Sequence, residues 1–372
     1  MPPSFSRETA LSFTEPIMWT LFLHEALGVA LITALTLAVF AIGELLRRRE
    51  ILSPEQSRKL LHVGGCCSAL LFPVLFTTHW SVLAVCGGFT VLILWLEHKG
   101  SLHAVDDVSR KTYGGALHPV ALYLCYLLAI WRGNFTFYEI SVLVLALSDT
   151  AAALVGERYG RLRYRVGGDD YRSLEGSAFF FLVTYAIVHH ILLLGLDMAS
   201  WDATVLSLLI AVLVTLFEAV SLGGADNLVI PIGVMIILIK NAHPDIAAIT
   251  RQLICLTISF VLVCLPMRLF GLMRGSGRVV MSLLVYLASG LVSPFWGLAT
   301  LLWAYLLNLC STLRMKEIKT VFGLAALPFI VIMSFNIAVK VFNWRPIAVA
   351  TPVFLAALFL SYLAVKSYEK KH

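Results

Sequence analysis

Between Leu147 and Ser177 an apolar stretch carries Ser148-Asp149-Thr150 followed by three alanines. It runs on through Gly156-Glu157-Arg158-Tyr159-Gly160-Arg161 and closes on Tyr171-Arg172-Ser173-Leu174-Glu175-Gly176-Ser177. A carboxylate at the centre of an apolar membrane helix costs about 2.5 to 3.5 kcal/mol on insertion scales, so Asp149 needs a cation or a donor to meet it. Arg158, Arg161, Arg163, Arg165 and Arg172 lie just beyond it. A buried acid followed by glycines and five arginines suits a metal ion and a polyanion better than it suits lipid.

The elements that must position these residues are membrane helices. The chain is 59% hydrophobic and 13% charged, with a mean hydropathy of +0.88, against about 25% charged for an ordinary soluble domain. This composition predicts an all-α, polytopic integral membrane bundle of about 13 spans, within a range of about 11 to 14. The apolar stretches fall near 22–45, 61–77, 81–96, 116–131, 138–156, 178–196, 203–220, 228–240, 250–268, 279–293, 296–313, 320–340 and 346–365. The stretch 228–240 is short and contains Pro231, which leaves a full span, a broken helix or a re-entrant segment open.

Most of the 28 Lys and Arg residues gather on one side when the loop after the first span is set in the cytoplasm. The positive-inside rule then predicts an external N-terminus and a cytoplasmic C-terminus. The net charge of +6 therefore speaks of topology first and of anionic partners second, and gives no sign of a nucleic-acid partner. The opening residues read as a retained first helix rather than a secretory signal, since Arg7 is offset by Glu8 and no small-residue cleavage site follows. The seven cysteines all fall in predicted spans without CxxC spacing, which signals neither a disulfide framework nor a zinc site.

The polar residues cluster in the same compartment. Arg58-Lys59-Leu60-Leu61-His62 opens the second span, Arg110-Lys111-Thr112-Tyr113-Gly114-Gly115 precedes the fourth, and Glu218 with Gly223-Gly224-Ala225-Asp226-Asn227 lies between the seventh and eighth. All face the cytoplasm in the predicted topology. Residues 1–245 thus read as the working unit, with the motif region at about 55–240, and 246–372 as additional C-terminal helices of unassigned role.

Several of these blocks together resemble the polyprenol kinase family, which joins dolichol, phytol and farnesol kinases and is related to the phosphatidate cytidylyltransferases. The resemblance rests on Arg58-Lys59 with His62, on Ser148-Asp149-Thr150-Ala151-Ala152 with Gly156 and Gly160, on Ser-Leu-Glu-Gly-Ser at 173–177, and on Glu218 with Asp226-Asn227 and Pro231. It covers about half the chain, and one departure is Arg172, where the family usually shows Lys. It implies an integral membrane enzyme that transfers a phosphoryl group from CTP to an isoprenoid alcohol with a divalent metal.

Phosphoryl transfer from a nucleoside triphosphate asks for Mg²⁺ on one or two carboxylates, cations on the phosphates and an aligned nucleophile. Asp149 and Asp226 are the candidates for Mg²⁺ or another divalent cation, with Glu218 as a third; the plainer readings are an interhelical hydrogen bond and a helix cap. Arg58, Lys59, Arg158 and Arg172 are candidates for the triphosphate, or else a charged anchor at the membrane face. His62 is set to accept the alcohol proton or to bond a neighbouring helix. Glu175 divides between a metal or ribose contact and a role in starting the helix, and Ser173 between phosphate contact and N-cap. Gly156 and Gly160 have GxxxG spacing, which serves helix packing and a close phosphate approach alike; Gly176 and Asn227 complete the nucleotide set.

The expected partners are a membrane-embedded isoprenoid alcohol (polyprenol, dolichol, phytol or farnesol), CTP and the bilayer, with the oligomeric state open. A cytidylyltransferase acting on phosphatidate or a related lipid phosphate is the alternative, and a transporter the second. A transporter would place its polar features in two corresponding halves near the midplane, whereas here they lie in one half on one side. The expected location is a prokaryotic plasma membrane, with the endoplasmic reticulum as the alternative.

Overall fold

The computed structural model describes residues 7–99, 114–167, 170–221, 223–243, 245–269, 275–291 and 294–310. A 42-residue helix, α1 (Arg7–Arg48), comes first, and its last turn carries Arg47 and Arg48, both bonded to Glu44. Cations suit this end of a helix, where the backbone carbonyls are unpaired. Helix α2 (Pro54–Ala69) starts on a capping box: Ser53 Oγ accepts from Gln56 N at 3.2 Å, Gln56 Oε1 accepts from Ser53 N at 3.0 Å, and Pro54 fills the first helical position.

Close packing between these two helices comes from glycine. A methyl group on Gly64 would sit 2.4 Å from Val39, and one on Gly43 would sit 2.9 Å from Leu61. A short turn of helix, α3 (Phe72–Leu75), leads to α4 (His79–Lys99). Helix α5 (Gly114–Arg132) follows, then α6 (Phe135–Leu143), capped by Asn134. The chain continues without a break through a π-helical turn, Val144–Ser148, into α7 (Asp149–Tyr159). Such wide turns occur singly inside α-helices and mark functional positions; this one delivers Asp149.

Two strands, β1 (Arg163–Gly167) and β2 (Asp170–Ser173), pair antiparallel and set Tyr164 opposite Arg172. The stretch of arginines, read from sequence as a triphosphate-binding segment or a charged anchor between spans, carries a hairpin on a bundle that is otherwise helical among the described residues. Ser173 ends the hairpin and caps α8 (Leu174–Leu194), its Oγ accepting from Gly176 N at 3.0 Å. Helices α9 (Ser200–Val220), α10 (Asp226–Lys240), α11 (Ile246–Leu269), α12 (Gly275–Leu291) and α13 (Pro294–Cys310) complete the described chain.

Eight helices among the described residues are long and apolar enough to cross a membrane. Their outward faces carry large apolar side chains such as Trp19, Phe22, Val91, Phe179 and Leu262, as lipid-facing helices should. With this architecture the protein is an integral membrane protein. The eight coincide with the spans expected near 22–45, 61–77, 81–96, 116–131, 138–156, 178–196, 203–220 and 250–268. The stretch 228–240 lies in α10, whose 15 residues reach about 22 Å, short of a hydrocarbon core of about 30 Å. Expected spans at 279–293 and 296–313 correspond to two 17-residue helices, and those at 320–340 and 346–365 lie outside the described residues, as does the Arg110–Tyr113 block.

The core runs through α9, whose Leu206, Leu209, Ile210 and Val214 are fully or almost fully buried. Val263 and Met267 of α11 and Val280 and Met281 of α12 belong to the same buried cluster as the helices of the motif region.

Candidate active site

Two helices that meet nowhere in sequence place opposite charges in contact. Lys59, in the second turn of α2, and Asp149, at the head of α7, are both almost fully buried, and Lys59 Nζ lies 2.5 Å from Asp149 Oδ2. His62, one turn further along α2, brings Nε2 to 3.6 Å from the same oxygen and 3.1 Å from the Leu145 carbonyl. The π turn matters here because it supplies that carbonyl and Asp149 together. Burying an ion without its partner is far costlier than burying a pair, so Lys59 and Asp149 hold each other in place.

A second charge cluster lies alongside. Arg172, the penultimate residue of β2, bonds Glu218 through Nη1 and Asp226 through Nη2, the latter at 2.9 Å. Burial works against its charge, but the two carboxylates overcome this and hold the guanidinium well above its ordinary pKa. Ser177 donates to Glu218 at 3.3 Å, and Tyr164 and Ser177 share a hydrogen bond of 2.8 Å. Burial, reinforced by Glu218, raises the Tyr164 phenol as well.

The turn ahead of α10 needs glycine. Gly223 and Gly224 have φ of 60° and 83°, a left-handed conformation that costs a side chain dearly. This turn sets Asp226 in the first turn of α10, and Asn227 Nδ2 donates to the Gly114 carbonyl at 2.9 Å, tying the turn to the start of α5.

Around these charges lie two cavities of opposite character. One is polar, walled by Gly156, Arg163, Tyr171, Arg172, Ser173, Gly176, Ser177, Glu218, Gly223 and Gly224. The N-termini of α8 and α10 open onto it, an arrangement that favours anions. The other is an apolar slot walled by Ile32, Phe40, Phe72, Val85, Phe89, Ile93 and Leu122, with His62 and His118. Arg58, His62, Gly65 and Ser68 mark its length along α2, about 15 Å of helix. Arg58, Lys59, Asp149 and Asp226 line both cavities.

Most of the residues singled out from sequence thus meet at one place: Arg58, Lys59, His62, Asp149, Gly156, Arg172, Ser173, Gly176, Glu218, Asp226 and Asn227. Three do not reach the cavity walls. Arg158 is exposed and lies over the Tyr159 ring at 5.5 Å. Gly160 ends α7 against Ser173, where a methyl group would sit 2.7 Å from Ser173 Cβ. Glu175 accepts from the backbone N–H groups of Arg161 and Leu162, both at 3.1 Å, and so fastens the start of the hairpin to α8. Sequence reading missed His118, whose ring centroid is 4.6 Å from that of His62. No local signal marks it: His118 is a single histidine within an apolar helix, and only the fold brings it against His62.

A phytol kinase of Synechocystis is 31% identical to this chain over 201 residues, which are 53% of this chain and 83% of the relative. The chain belongs to the polyprenol and phytol kinase family. No protein-family profile and no solved structure matches the chain. As a member of this family it presents the motif residues as the seam between two cavities, with the charged side chains already paired across helices.

Proposed function

We propose that this protein transfers the γ-phosphoryl group of CTP to the hydroxyl of a membrane isoprenoid alcohol, of the class that includes phytol, farnesol and longer polyprenols. The observation that carries the reading is the sharing of Arg58, Lys59, Asp149 and Asp226 between a polar cavity and an apolar slot. A soluble nucleotide and a lipid alcohol need solvents of opposite kind, and their reacting ends must still meet. The family relationship supports a kinase, since the Synechocystis relative is a phytol kinase.

In this reading the triphosphate occupies the polar cavity, against the glycines of α7 and α8 and the N-terminus of α10. Gly156 and Gly176 serve the cavity by letting α7 and α8 pack closely at its wall, since a methyl group on either would come within 3.0 Å of a neighbouring protein oxygen. The carboxylates fit a divalent cation: Asp149 and Asp226 line the same wall, and Mg²⁺ favours one or two carboxylates completed by phosphate oxygens. When bound there, Mg²⁺ supplies charge neutralisation on the β- and γ-phosphate oxygens. Arg172 and Lys59 hold the same carboxylates in the unliganded protein and turn to the phosphates as the nucleotide arrives.

The alcohol lies in the slot with its hydroxyl beside His62 and Asp149. Its oxygen forms a bond to the γ-phosphorus as the bond from that phosphorus to the β,γ-bridging oxygen breaks, releasing CDP. The hydroxyl proton passes to His62, which Asp149 orients. The site lies at the end of the bundle where α1 ends in Arg47 and Arg48, Arg161 leads into the hairpin and the hairpin carries Arg163 and Arg165, which supports a cytoplasmic location by the positive-inside rule. A prokaryotic plasma membrane is the proposed setting.

The test is an assay of the purified full chain in detergent with Mg²⁺ and γ- or α-labelled CTP, offering farnesol, phytol, a long polyprenol and phosphatidate. Label from the γ position on an alcohol, absent with Asp149→Asn, is the expected result. Label transferred only from the α position onto phosphatidate would make the protein a cytidylyltransferase and overturn the proposal.

A further inference from the structure

Below the seam, α2 and α5 bring together a second set of ligand-type side chains. His62 and Cys66 stand one helical turn apart on α2, and His118 faces them from α5. One donor atom from each lies within 4.8 Å of the other two. Cys66 Sγ and His118 Nε2 are 3.8 Å apart. A four-coordinate ion about 2.0 to 2.1 Å from nitrogen and about 2.3 Å from sulfur sets its nitrogen and sulfur donors roughly 3.3 to 3.6 Å apart. The 3.8 Å Cys66–His118 edge is within a few tenths of an ångström of that spacing, and the remaining edges, at most 4.8 Å, need to close by about 1 Å, within the reach of side-chain rotation.

Three further observations point to a ligand rather than to packing alone. Apart from the contact of its Nε2 with Cys66, the His118 ring makes no hydrogen bond among the described residues, its buried Nδ1 included, so no polar packing role accounts for it. Cys66 is fully buried and lines neither cavity, so the transfer site has no use for it. His62 Nε2 lies 3.1 Å from the Leu145 carbonyl, which only accepts, so Nε2 carries the hydrogen and Nδ1 keeps the lone pair. A backbone carbonyl on the far nitrogen is the usual support of a metal-binding histidine.

We propose that His62, Cys66 and His118 form a binding site for a borderline divalent transition-metal ion of the zinc class, separate from the Mg²⁺ position, and that its occupancy switches phosphoryl transfer off. Two imidazoles and a thiolate select such an ion against Mg²⁺, which takes oxygen ligands. Three protein ligands leave a fourth position open, and His62 and His118 face it toward the apolar slot. Binding forms the sulfur–metal bond as the thiol proton leaves to solvent, with no change of oxidation state. The link to catalysis rests on the role given to His62 above: its one lone pair serves the metal or the alcohol proton, and not both.

The full chain, purified in detergent, stripped with chelator and held in excess Mg²⁺, is titrated with Co²⁺. A near-ultraviolet thiolate-to-cobalt band saturating at one equivalent is expected, displaced by Zn²⁺. It should vanish in Cys66→Ser and in His118→Ala and persist in Cys67→Ser, whose neighbouring thiol is exposed. No band in the wild type, or a band that survives Cys66→Ser, would overturn the site. In the transfer assay, one equivalent of Zn²⁺ should slow the wild type by about tenfold or more while Cys66→Ser stays within about twofold of its zinc-free rate. A wild type that shows the band and keeps full activity would retain the metal site and overturn the lone-pair competition, and with it the proton-accepting role of His62.

Discussion

The two cavities that meet at Asp149 are built on different principles. The polar one is walled by charges that neutralise one another: Arg172 between Glu218 and Asp226, and Lys59 against Asp149. The slot is walled by side chains that pair with nothing and only exclude water, such as Ile32, Phe72, Val85 and Leu122. A pre-paired cavity exchanges partners when a highly charged ligand and its metal arrive, without leaving bare ions in a low-dielectric site. An apolar slot needs no such exchange, because its ligand brings only surface to bury. The difference teaches that changes on the polar side should be large and nucleotide-linked, and changes on the slot side modest and dependent on the alcohol.

The largest effect is expected at the seam itself. Asp149→Asn keeps the shape but leaves Lys59 as an unpaired buried cation and removes a carboxylate that the proposed function assigns to the metal. Transfer should fall by about a thousandfold or more with every alcohol and every nucleotide concentration, measured as initial rates under saturating substrates. A loss confined to one alcohol would break the view of Asp149 as common to both cavities.

Arg172 comes next and separates charge from geometry. Arg172→Ala strands Glu218 and Asp226 and should destabilise the protein by about 3 to 5 kcal/mol, read as a drop in thermal midpoint in detergent. Arg172→Lys keeps the charge but loses the fork that reaches two carboxylates, so the protein should stay folded while KM for CTP rises about tenfold. An unchanged KM for the nucleotide would remove Arg172 from the triphosphate site.

How much of this was legible in the sequence depends on the distance over which each feature is made. The spans and the polar blocks are local, so composition placed eight of the helices and most of the motif residues without a structure. Ser173 as an N-cap was legible for the same reason. The pairing of Lys59 with Asp149 joins residues 90 positions apart, and that of Arg172 with Asp226 joins residues 54 apart. Nothing in either block says which acid meets which base. Glu175 shows the converse: a carboxylate inside a motif looked chemical, yet its oxygens face the backbone N–H groups of the hairpin. The hairpin itself was hidden because Arg163-Tyr164-Arg165 reads as charge rather than as alternation, although half-buried Tyr164 and buried Val166 alternate with exposed Arg163 and Arg165.

The slot side should respond more gently. Cys86→Phe adds a ring to a wall that buries Cys86 almost completely, filling part of the cavity without touching the charges. Discrimination in an apolar pocket is worth about 1 to 3 kcal/mol per group, so kcat/KM for the longer alcohols should fall by about ten- to hundredfold relative to farnesol. KM for CTP should not move, and a rise there would show that the two cavities are not separable.

The smallest effect is expected at Arg158, and it tests the comparison from outside. The motif reading makes this arginine a phosphate ligand, but its side chain is exposed and stacks on Tyr159, beyond the walls of both cavities. An exposed cation over an aromatic ring is worth about 0.5 to 1 kcal/mol. Arg158→Ala should therefore cost about that much in stability and leave KM for CTP within about twofold of the wild type. If KM instead rises tenfold, the segment from Gly156 to the hairpin must fold inward when the nucleotide binds. Glu175 would then be the latch of that movement, because its carboxylate fixes the backbone at Arg161 and Leu162 just beyond.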